Sequence, residues 1–146
     1  MKSDSKILEK ELSYKIYGLF LEVGKQYGCF YREEIYQKAC EERLEQSNLL
    51  FKSKPKVFVN SKITNKELGF FIPDLIVEDK IIVEIKVVKA LLEKSINQLV
   101  SYLKESKYEV GYLVNFGTSY TQIIRRVYSN EYANDANTHE LSANEL

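Results

Sequence analysis

The stretch IPDLIVEDKIIVEIK, residues Ile72–Lys86, decides the fold of this chain. Two apolar runs in it flank a charged triplet at 78–80, an arrangement that is typical of two strands joined by a tight turn. We predict strands over Gly69–Val77 and Ile81–Val88, paired as an antiparallel hairpin. The second run is almost continuously apolar, which indicates a strand buried on both faces.

The register of this hairpin places two carboxylates side by side. If the turn is centred on Asp79, Asp74 and Glu84 stand directly opposite each other, with Cβ atoms about 4.5–5.5 Å apart. Lys86 lies two residues beyond Glu84 and therefore projects from the same face. Two carboxylates this close cannot both remain ionised cheaply without a proton or a cation between them. A divalent metal such as Mg²⁺, which takes oxygen ligands and keeps several waters, is the natural solution.

Other segments predict helices and further strands around this hairpin. Apolar residues three and four apart indicate two N-terminal helices, over Lys6–Gln26 and Tyr31–Gln46. A third helix, Ala90–Lys107, leads from the hairpin to a strand over Tyr108–Phe116, and such a unit is a right-handed crossover between parallel strands. Two strand pieces and a short element of undefined type complete the set, at Leu49–Ser53, Val57–Asn60 and 120–128.

These elements predict an α/β protein. Its mixed four- to five-stranded sheet is flanked by helices, and the elements follow the order α-α-β-β-β-α-β. Residues 1–128 are assigned to one domain, because a chain of 146 residues has no room for a second core. The polar segment 129–146 is interpreted as a flexible C-terminal tail.

Composition excludes several classes of function. Lysine and arginine total 21, as do aspartate and glutamate, so bulk charge cannot hold nucleic acid, although a local basic patch can. His139 is the sole histidine, which disfavours catalytic triads and histidine-rich zinc sites. Cys29 and Cys40 lack the spacing of a metal or redox site and are interpreted as reduced thiols in the cytoplasm. The sequence has neither a long apolar run nor an apolar signal segment, so we expect no membrane association.

Two helices carry further candidate side chains. Gln98 and Tyr102 are four residues apart and share one face of the third helix. An amide and a phenol can orient a ligand or a lysine by hydrogen bonds. Glu33 and Tyr36, three residues apart, share a face of the second helix, where Glu33 could supply a third carboxylate.

Simpler interpretations stand beside these. Lys52 and Lys54 belong to a period-two stripe that can touch phosphates, but solvated charge is the commoner meaning of such a stripe. Glu84 and Lys86 could form a buried structural ion pair. That alternative leaves Asp74 without a role.

Ile72-Pro73-Asp74 followed by Glu84-Ile85-Lys86 resembles the PD-(D/E)xK signature of the restriction-endonuclease-like nuclease superfamily. The run from Gln98 to Tyr102 is similar to a Gln-x-x-x-Tyr motif found in one branch of that superfamily. The resemblance covers Leu12–Val127, nearly the whole chain.

Within the superfamily, the chain resembles the small GxxExxY proteins. Glu33-Glu34-Ile35-Tyr36 matches their Glu-x-x-Tyr, and Val114-Asn115-Phe116-Gly117 matches the end of their core. One departure is Phe30, which stands where the family motif has its glycine.

The resemblance implies metal-dependent hydrolysis of phosphodiester bonds in DNA or RNA. Oxygen ligands for Mg²⁺ or Mn²⁺ would come from Asp74, Glu84, the backbone carbonyl of Ile85 and Glu33. Lys86 would position the attacking water or offset charge at phosphorus, and Gln98 would support it. The expected contacts with substrate are Tyr102, Tyr36, Lys52 and Lys54.

Two other functions stay open at this point. One is a catalytically inactive module of the same fold that binds nucleic acid or a partner protein. The other is a phosphoesterase that uses the same residues on small nucleotides or in RNA processing. A homodimer is expected from the superfamily alone, since cutting both strands often takes two copies.

Overall fold

The computed structural model describes residues 2–129 and 141–143 of the chain. Three helices lie at Lys2–Tyr27 (α1), Glu33–Gln46 (α2) and Glu93–Lys104 (α3). The strands are Phe51–Ser53 (β1), Val57–Asn60 (β2), Glu67–Phe71 (β3), Leu75–Val77 (β4), Ile81–Lys86 (β5), Val110–Asn115 (β6), Gln122–Val127 (β7) and Leu141–Ala143 (β8). None of the helices in this part of the chain has the length and hydropathy that crossing a membrane requires.

The main sheet has the order β1-β4-β5-β6-β7-β8 among the described residues, and β2 and β3 form a separate two-stranded sheet. Strands β5 and β6 are parallel and joined through α3, whereas the other neighbours are antiparallel. The predicted α/β class and the mixed sheet flanked by helices are confirmed. The element of undefined type is strand β7, and β8 adds a sixth strand beyond the expected number.

Strand β8 lies inside the segment 129–146 that was interpreted as a flexible tail. Its three residues pair with β7, Leu141 opposite Val127 and Ala143 opposite Arg125. The remainder of the predicted tail, 130–140 and 144–146, lies outside the described residues.

The hairpin of β4 and β5 has the predicted register. Leu75 pairs with Val83 and Val77 with Ile81, which centres the turn on Asp79. Glu78 and Asp79 have φ of 53° and 52°, the left-handed conformation of a hairpin turn that matches the strand twist. Leu50 donates its N–H to Glu78 over 2.7 Å, and the Tyr108 hydroxyl donates to Asp79 over 2.8 Å. These contacts offset the cost of the turn conformation in residues other than glycine.

Alternation along β5 separates the two layers of the protein. Ile81, Val83 and Ile85 belong to the core shared with α1 and α2. Ile82 belongs to the second core, where α3 and the β2–β3 sheet pack. Glu84 and Lys86 follow Ile82 with period two, so they project from the face of the sheet that α3 covers.

The predicted strand Gly69–Val77 is wrong as a single element. Residues Glu67–Phe71 pair with β2 in the small sheet, whereas Leu75–Val77 pair with β1 and β5 in the main sheet. The break falls at Ile72-Pro73-Asp74, because Pro73 has no N–H to continue a ladder. The third helix is also shorter than predicted, since the helix begins only at Glu93.

Candidate active site

Asp74 and Glu84 meet where β4 begins and β5 approaches its end. The backbone N–H of Asp74 donates to Oε1 of Glu84 over 3.1 Å, and the N–H of Ile85 donates to Oδ2 of Asp74 over 2.7 Å. Asp74 is buried, with 7% of its surface exposed. Each carboxylate is therefore fixed by the backbone of the opposite strand, and the adjacency expected from the register is observed.

Pro73 has a consequence for the backbone of β5. Continuation of the observed register places Ile85 opposite Pro73. A proline cannot donate a hydrogen bond, so it leaves the Ile85 carbonyl without the ladder bond that another residue would supply. In an antiparallel ladder the N–H and C=O of one residue point toward the same neighbouring strand, so this carbonyl points toward the strand of Asp74, to which the Ile85 N–H is bonded.

The position of Glu84 changes its pKa strongly. Burial, followed by the charge of Asp74, raises the pKa of Glu84 from 4.5 to about 8. The N–H of Asp74 and the ammonium of Lys86 act in the opposite direction but do not cancel the effect. Near neutral pH the pair therefore retains a proton unless a cation joins it.

Glu33, the first residue of α2, faces the same charges from another direction. Partial burial and then Asp74 raise its pKa, while Lys86 and Lys54 lower it. The end of α2 thus brings a third carboxylate within electrostatic range of the pair. It forms no group of three acidic, histidine or cysteine ligands within metal-binding distance in the part of the chain described.

Lys54 lies in direct contact with the site. Its Nζ is 3.0 Å from Oδ1 of Asp74, and its backbone N–H donates to the Asp74 carbonyl over 2.9 Å. The hydrogen bond to Asp74 is the main cause that raises the pKa of Lys54. The predicted substrate contact at Lys54 is therefore, in this structure, the counter-charge of the buried aspartate. Lys52, two residues earlier on β1, is exposed and lies farther along the sheet, opposite Ile76.

Lys86 projects beside Glu84 and is partly exposed. It lies close enough to lower the pKa of Glu84, but no ion pair joins the two among residues 9–129. The alternative prediction of a structural Glu84–Lys86 ion pair is therefore wrong for the described residues. Gln98 is exposed on α3, and no hydrogen bond links it to Lys86 within the same residues.

Tyr102 lies at the edge of the site on α3. Its ring stacks on Phe71, with centroids 4.0 Å apart and planes 3° apart. Burial and then the charges of Glu84 and Asp74 raise its pKa, which places the phenol within range of both carboxylates. Stacking on Phe71 fixes the position of the ring.

The structure corrects the prediction for Tyr36. Its side chain is fully buried, stacks on Phe116 at 4.6 Å, and donates its hydroxyl to the Gly28 carbonyl over 2.5 Å. It anchors the loop between α1 and α2 and presents no surface to a substrate. Helical spacing predicted a common side of α2 for Glu33 and Tyr36. In the structure Tyr36 packs in the core, whereas Glu33 lies near the carboxylates of the site.

Gln37 is a residue that sequence reasoning missed. Its buried Nε2 donates to the Asp74 carbonyl over 2.8 Å and to Oε2 of Glu41 over 2.8 Å. Gln37 lies one turn after Glu33, so α2 both approaches the carboxylates and holds the backbone of Asp74. The sequence shows only that Glu33 and Gln37 are four residues apart and share a face of α2. The contact with Asp74 depends on the tertiary structure.

The donors gathered here suit a hard divalent cation. Two carboxylates and a carbonyl freed by Pro73 are oxygen ligands, which Mg²⁺ and Mn²⁺ prefer. The proton retained by Glu84 is what a cation would displace. Asp74, Glu84 and Ile85 thus fit a metal by their chemistry.

The layout of sheet, helices and paired carboxylates defines a restriction-endonuclease-like α/β protein. A model of the PD-(D/E)XK nuclease superfamily matches residues 10–127, and the chain belongs to that superfamily. A search of curated proteins finds no significant match, and a search of solved structures finds none either.

Proposed function

We propose that this protein is a metal-dependent nuclease that hydrolyses phosphodiester bonds in DNA or RNA. The observation that carries the proposal is the pair of buried Asp74 and partly buried Glu84, held by reciprocal backbone hydrogen bonds beside Lys86. Membership of a nuclease superfamily supports the same conclusion. This arrangement does not stabilise the fold, because it disfavours the ionised form of Glu84 and raises its pKa to about 8. A strongly shifted pKa of this kind is typical of a functional site.

In the proposed site, Asp74, Glu84 and the Ile85 carbonyl would hold Mg²⁺ or Mn²⁺. The bound metal supplies a Lewis acid and a water of lowered pKa. Glu33 orients water from the α2 side, and Lys86 positions the attacking water or stabilises negative charge on the phosphate. Gln98 and Tyr102 line the α3 side of the site, with Tyr102 at the edge of the substrate.

Lys54 has a second role in this proposal. Its ammonium is the counter-charge of Asp74 in this structure, and it would be available to a phosphate of the substrate if Asp74 held a metal. Lys52, farther along β1, contacts the substrate away from the reacting bond. Membership of the GxxExxY proteins is proposed on Glu33 and Tyr36. The homodimer and the cytoplasmic location stay predictions.

The test combines metal binding with cleavage. We expect Mg²⁺ and Mn²⁺ binding by calorimetry in the parent, and loss of binding in Asp74→Asn/Glu84→Gln. Cleavage of a panel of single- and double-stranded DNA and RNA should fall by at least about 100-fold in Glu84→Gln and in Lys86→Met. Glu42→Gln removes an exposed carboxylate of α2 and is the matched control.

Each outcome has a definite meaning. Retained cleavage in all site variants would refute the assignment of these residues. Nucleic-acid binding with neither cleavage nor metal binding would favour the inactive module, and hydrolysis confined to small nucleotides would favour the phosphoesterase. Circular dichroism of each variant shows that the loss reflects chemistry rather than unfolding.

A further inference from the structure

Positive charge is concentrated in one segment of this electrically neutral chain. Residues 52–71 contain five lysines and a single acid, Glu67, so the rest of the chain carries a net negative charge of four. Lys56, Lys62 and Lys66 lie along the β2–β3 sheet and its connecting loop, and all three are exposed. No ion pair engages them in the part of the chain described. The segment Val57–Phe71 is called the hairpin arm below.

The outer face of the hairpin arm is aromatic. Phe58 pairs across the strands with Phe70, and the two rings meet edge to face with centroids 6.1 Å apart. Phe58 is 52% exposed and Phe70 50% exposed, although β-strand alternation turns their neighbour Phe71 into the core. Lys56 places its Nζ 4.7 Å from the centre of the Phe70 ring. Two half-exposed aromatic rings and a lysine side chain thus lie together on the protein surface, and an exposed apolar patch of this kind is typical of a binding site.

This surface continues on both sides of the arm. Beside Phe58 lies a cleft of about 280 Å³, whose lining includes Lys52, Lys56, Lys107 and Tyr108. In the other direction, the chain runs from Phe70 through the half-exposed Ile72 to Asp74. The inner face of the arm meets the site through the stack of Phe71 on Tyr102. The arm therefore joins a basic cleft to the candidate active site.

We propose that the hairpin arm is a binding surface for single-stranded nucleic acid, which deepens and rests on the proposed nuclease function. Unpaired bases stack on Phe58 and Phe70, and Lys56, Lys62 and Lys66 contact the phosphates. Charge complementarity favours a polyanion over an apolar protein partner. A duplex keeps its bases stacked on each other and can use only the lysines, so exposed rings on this surface favour a single strand.

The test measures binding without cleavage. Fluorescence anisotropy is recorded with labelled oligothymidylate, oligouridylate and a DNA duplex, in Mg²⁺ and in EDTA, with Glu84→Gln as the background. We expect each of Phe58→Ala and Phe70→Ala to weaken single-strand binding by about 5- to 100-fold. Tyr14→Ala removes an exposed ring from α1 and should leave affinity unchanged. Replacing Lys62 and Lys66 by Gln should reduce the slope of log affinity against log salt by about 0.7 for each lysine that neutralises a phosphate.

A leucine variant separates stacking from general apolar contact. Phe58→Leu/Phe70→Leu keeps the apolar bulk and the strand pairing but removes the ring faces. Binding as weak as that of the alanine variants supports stacking, whereas binding equal to the background protein overturns the proposal. Equal affinity for the duplex and both single strands also overturns it, as does the absence of any binding. Oligothymidylate and oligouridylate differ in the sugar and in the thymine methyl group, and a preference between them supports the proposal by showing that the arm discriminates between single strands.

The two proposals fail separately. If a variant that lacks both rings cleaves nucleic acid with the KM of the parent, the role of the arm is refuted and the nuclease proposal is unaffected. If the parent binds single strands through the two rings but cleaves no nucleic acid, the nuclease proposal is refuted and the binding surface is retained.

Discussion

The backbone N–H of Asp74 donates to the side chain of Glu84 over 3.1 Å, so strand pairing itself holds two acids together. Mutual repulsion in a buried position makes this arrangement costly in the absence of a cation. The pKa of Glu84 is raised to about 8, and Asp74 forms an ion pair with Lys54. A metal bound by the two acids would displace the proton of Glu84 and the ammonium group of Lys54.

The first prediction concerns metal affinity and pH. Because the pKa of Glu84 is about 8, a metal must displace its proton below that pH. We expect the apparent Mn²⁺ affinity to rise up to about tenfold per pH unit as pH approaches 8 and then to level off. Calorimetry in buffers of different ionisation enthalpy measures the released proton. Glu84→Gln should remove the proton release and Glu42→Gln should not; a pH-independent affinity in the parent would contradict the assignment.

The second prediction concerns stability without metal. The folded pKa of Glu84 is raised above 4.5, so its contribution to stability is fully present below pH 4.5 and is lost as pH rises through about 8. Glu84→Gln removes the charge but keeps an acceptor for the Asp74 N–H. We expect this variant to match the parent at low pH and to exceed its unfolding free energy by at least ~1 kcal/mol above pH 8. Urea denaturation in EDTA, below pH 4.5 and above pH 8, measures the unfolding free energies of the variant and the parent. If they differ by the same amount at both pH values, the pKa of Glu84 is not raised.

The third prediction addresses Lys54. Its ammonium occupies Oδ1 of Asp74 at 3.0 Å and so competes with a metal for that oxygen. Since Lys54 is largely exposed, the ion pair is worth roughly 0.2–1 kcal/mol, and Lys54→Gln should tighten Mn²⁺ binding by up to about fivefold. Lys52→Gln, two residues away on β1, is the matched control. Weaker metal binding in Lys54→Gln would show that the lysine supports the metal rather than competing with it.

The fourth prediction tests Gln37 as a positioning residue. Gln37→Leu removes the donor to the Asp74 carbonyl and leaves a buried acceptor with one partner fewer. We expect a loss of about 1–3 kcal/mol in stability together with weaker metal binding. Gln26→Leu changes an exposed glutamine of α1 that accepts a hydrogen bond from Arg43, and it should leave metal binding unchanged. Full metal affinity in folded Gln37→Leu would limit Gln37 to a structural role.

The fifth prediction compares two glycines. A Cβ at Gly117 would overlap the backbone N and O of Val88, just beyond the strand that carries Lys86. We expect Gly117→Ala to destabilise the protein by about 1–3 kcal/mol and to disturb the site. Gly18 lies in α1 with no atom within 4 Å of its missing Cβ, so Gly18→Ala should stabilise by about 0.5–1 kcal/mol. Thermal unfolding of both variants measures the contrast, and equal effects would contradict the close approach at Gly117.

Much of the fold was accessible from local pattern. Alternation and the turn at 78–80 were enough to place Asp74 opposite Glu84, because the register of a short hairpin follows from its turn. The parallel crossover from β5 to β6 through α3 followed from element order and handedness. The strand break at Pro73 was readable in principle, but the apolar run around it concealed that β3 and β4 join different sheets.

The sequence by itself determined the paired carboxylates, since residues joined by one tight turn have few ways to meet. Only the tertiary structure decided the partners from distant segments: Lys54 on Asp74, Gln37 beneath it, Tyr36 in the core, and an aromatic face on the hairpin arm. Periodicity states which residues share a face of a helix or strand. It does not state what that face meets, because packing between elements far apart in the chain decides which side chains are buried and which remain exposed.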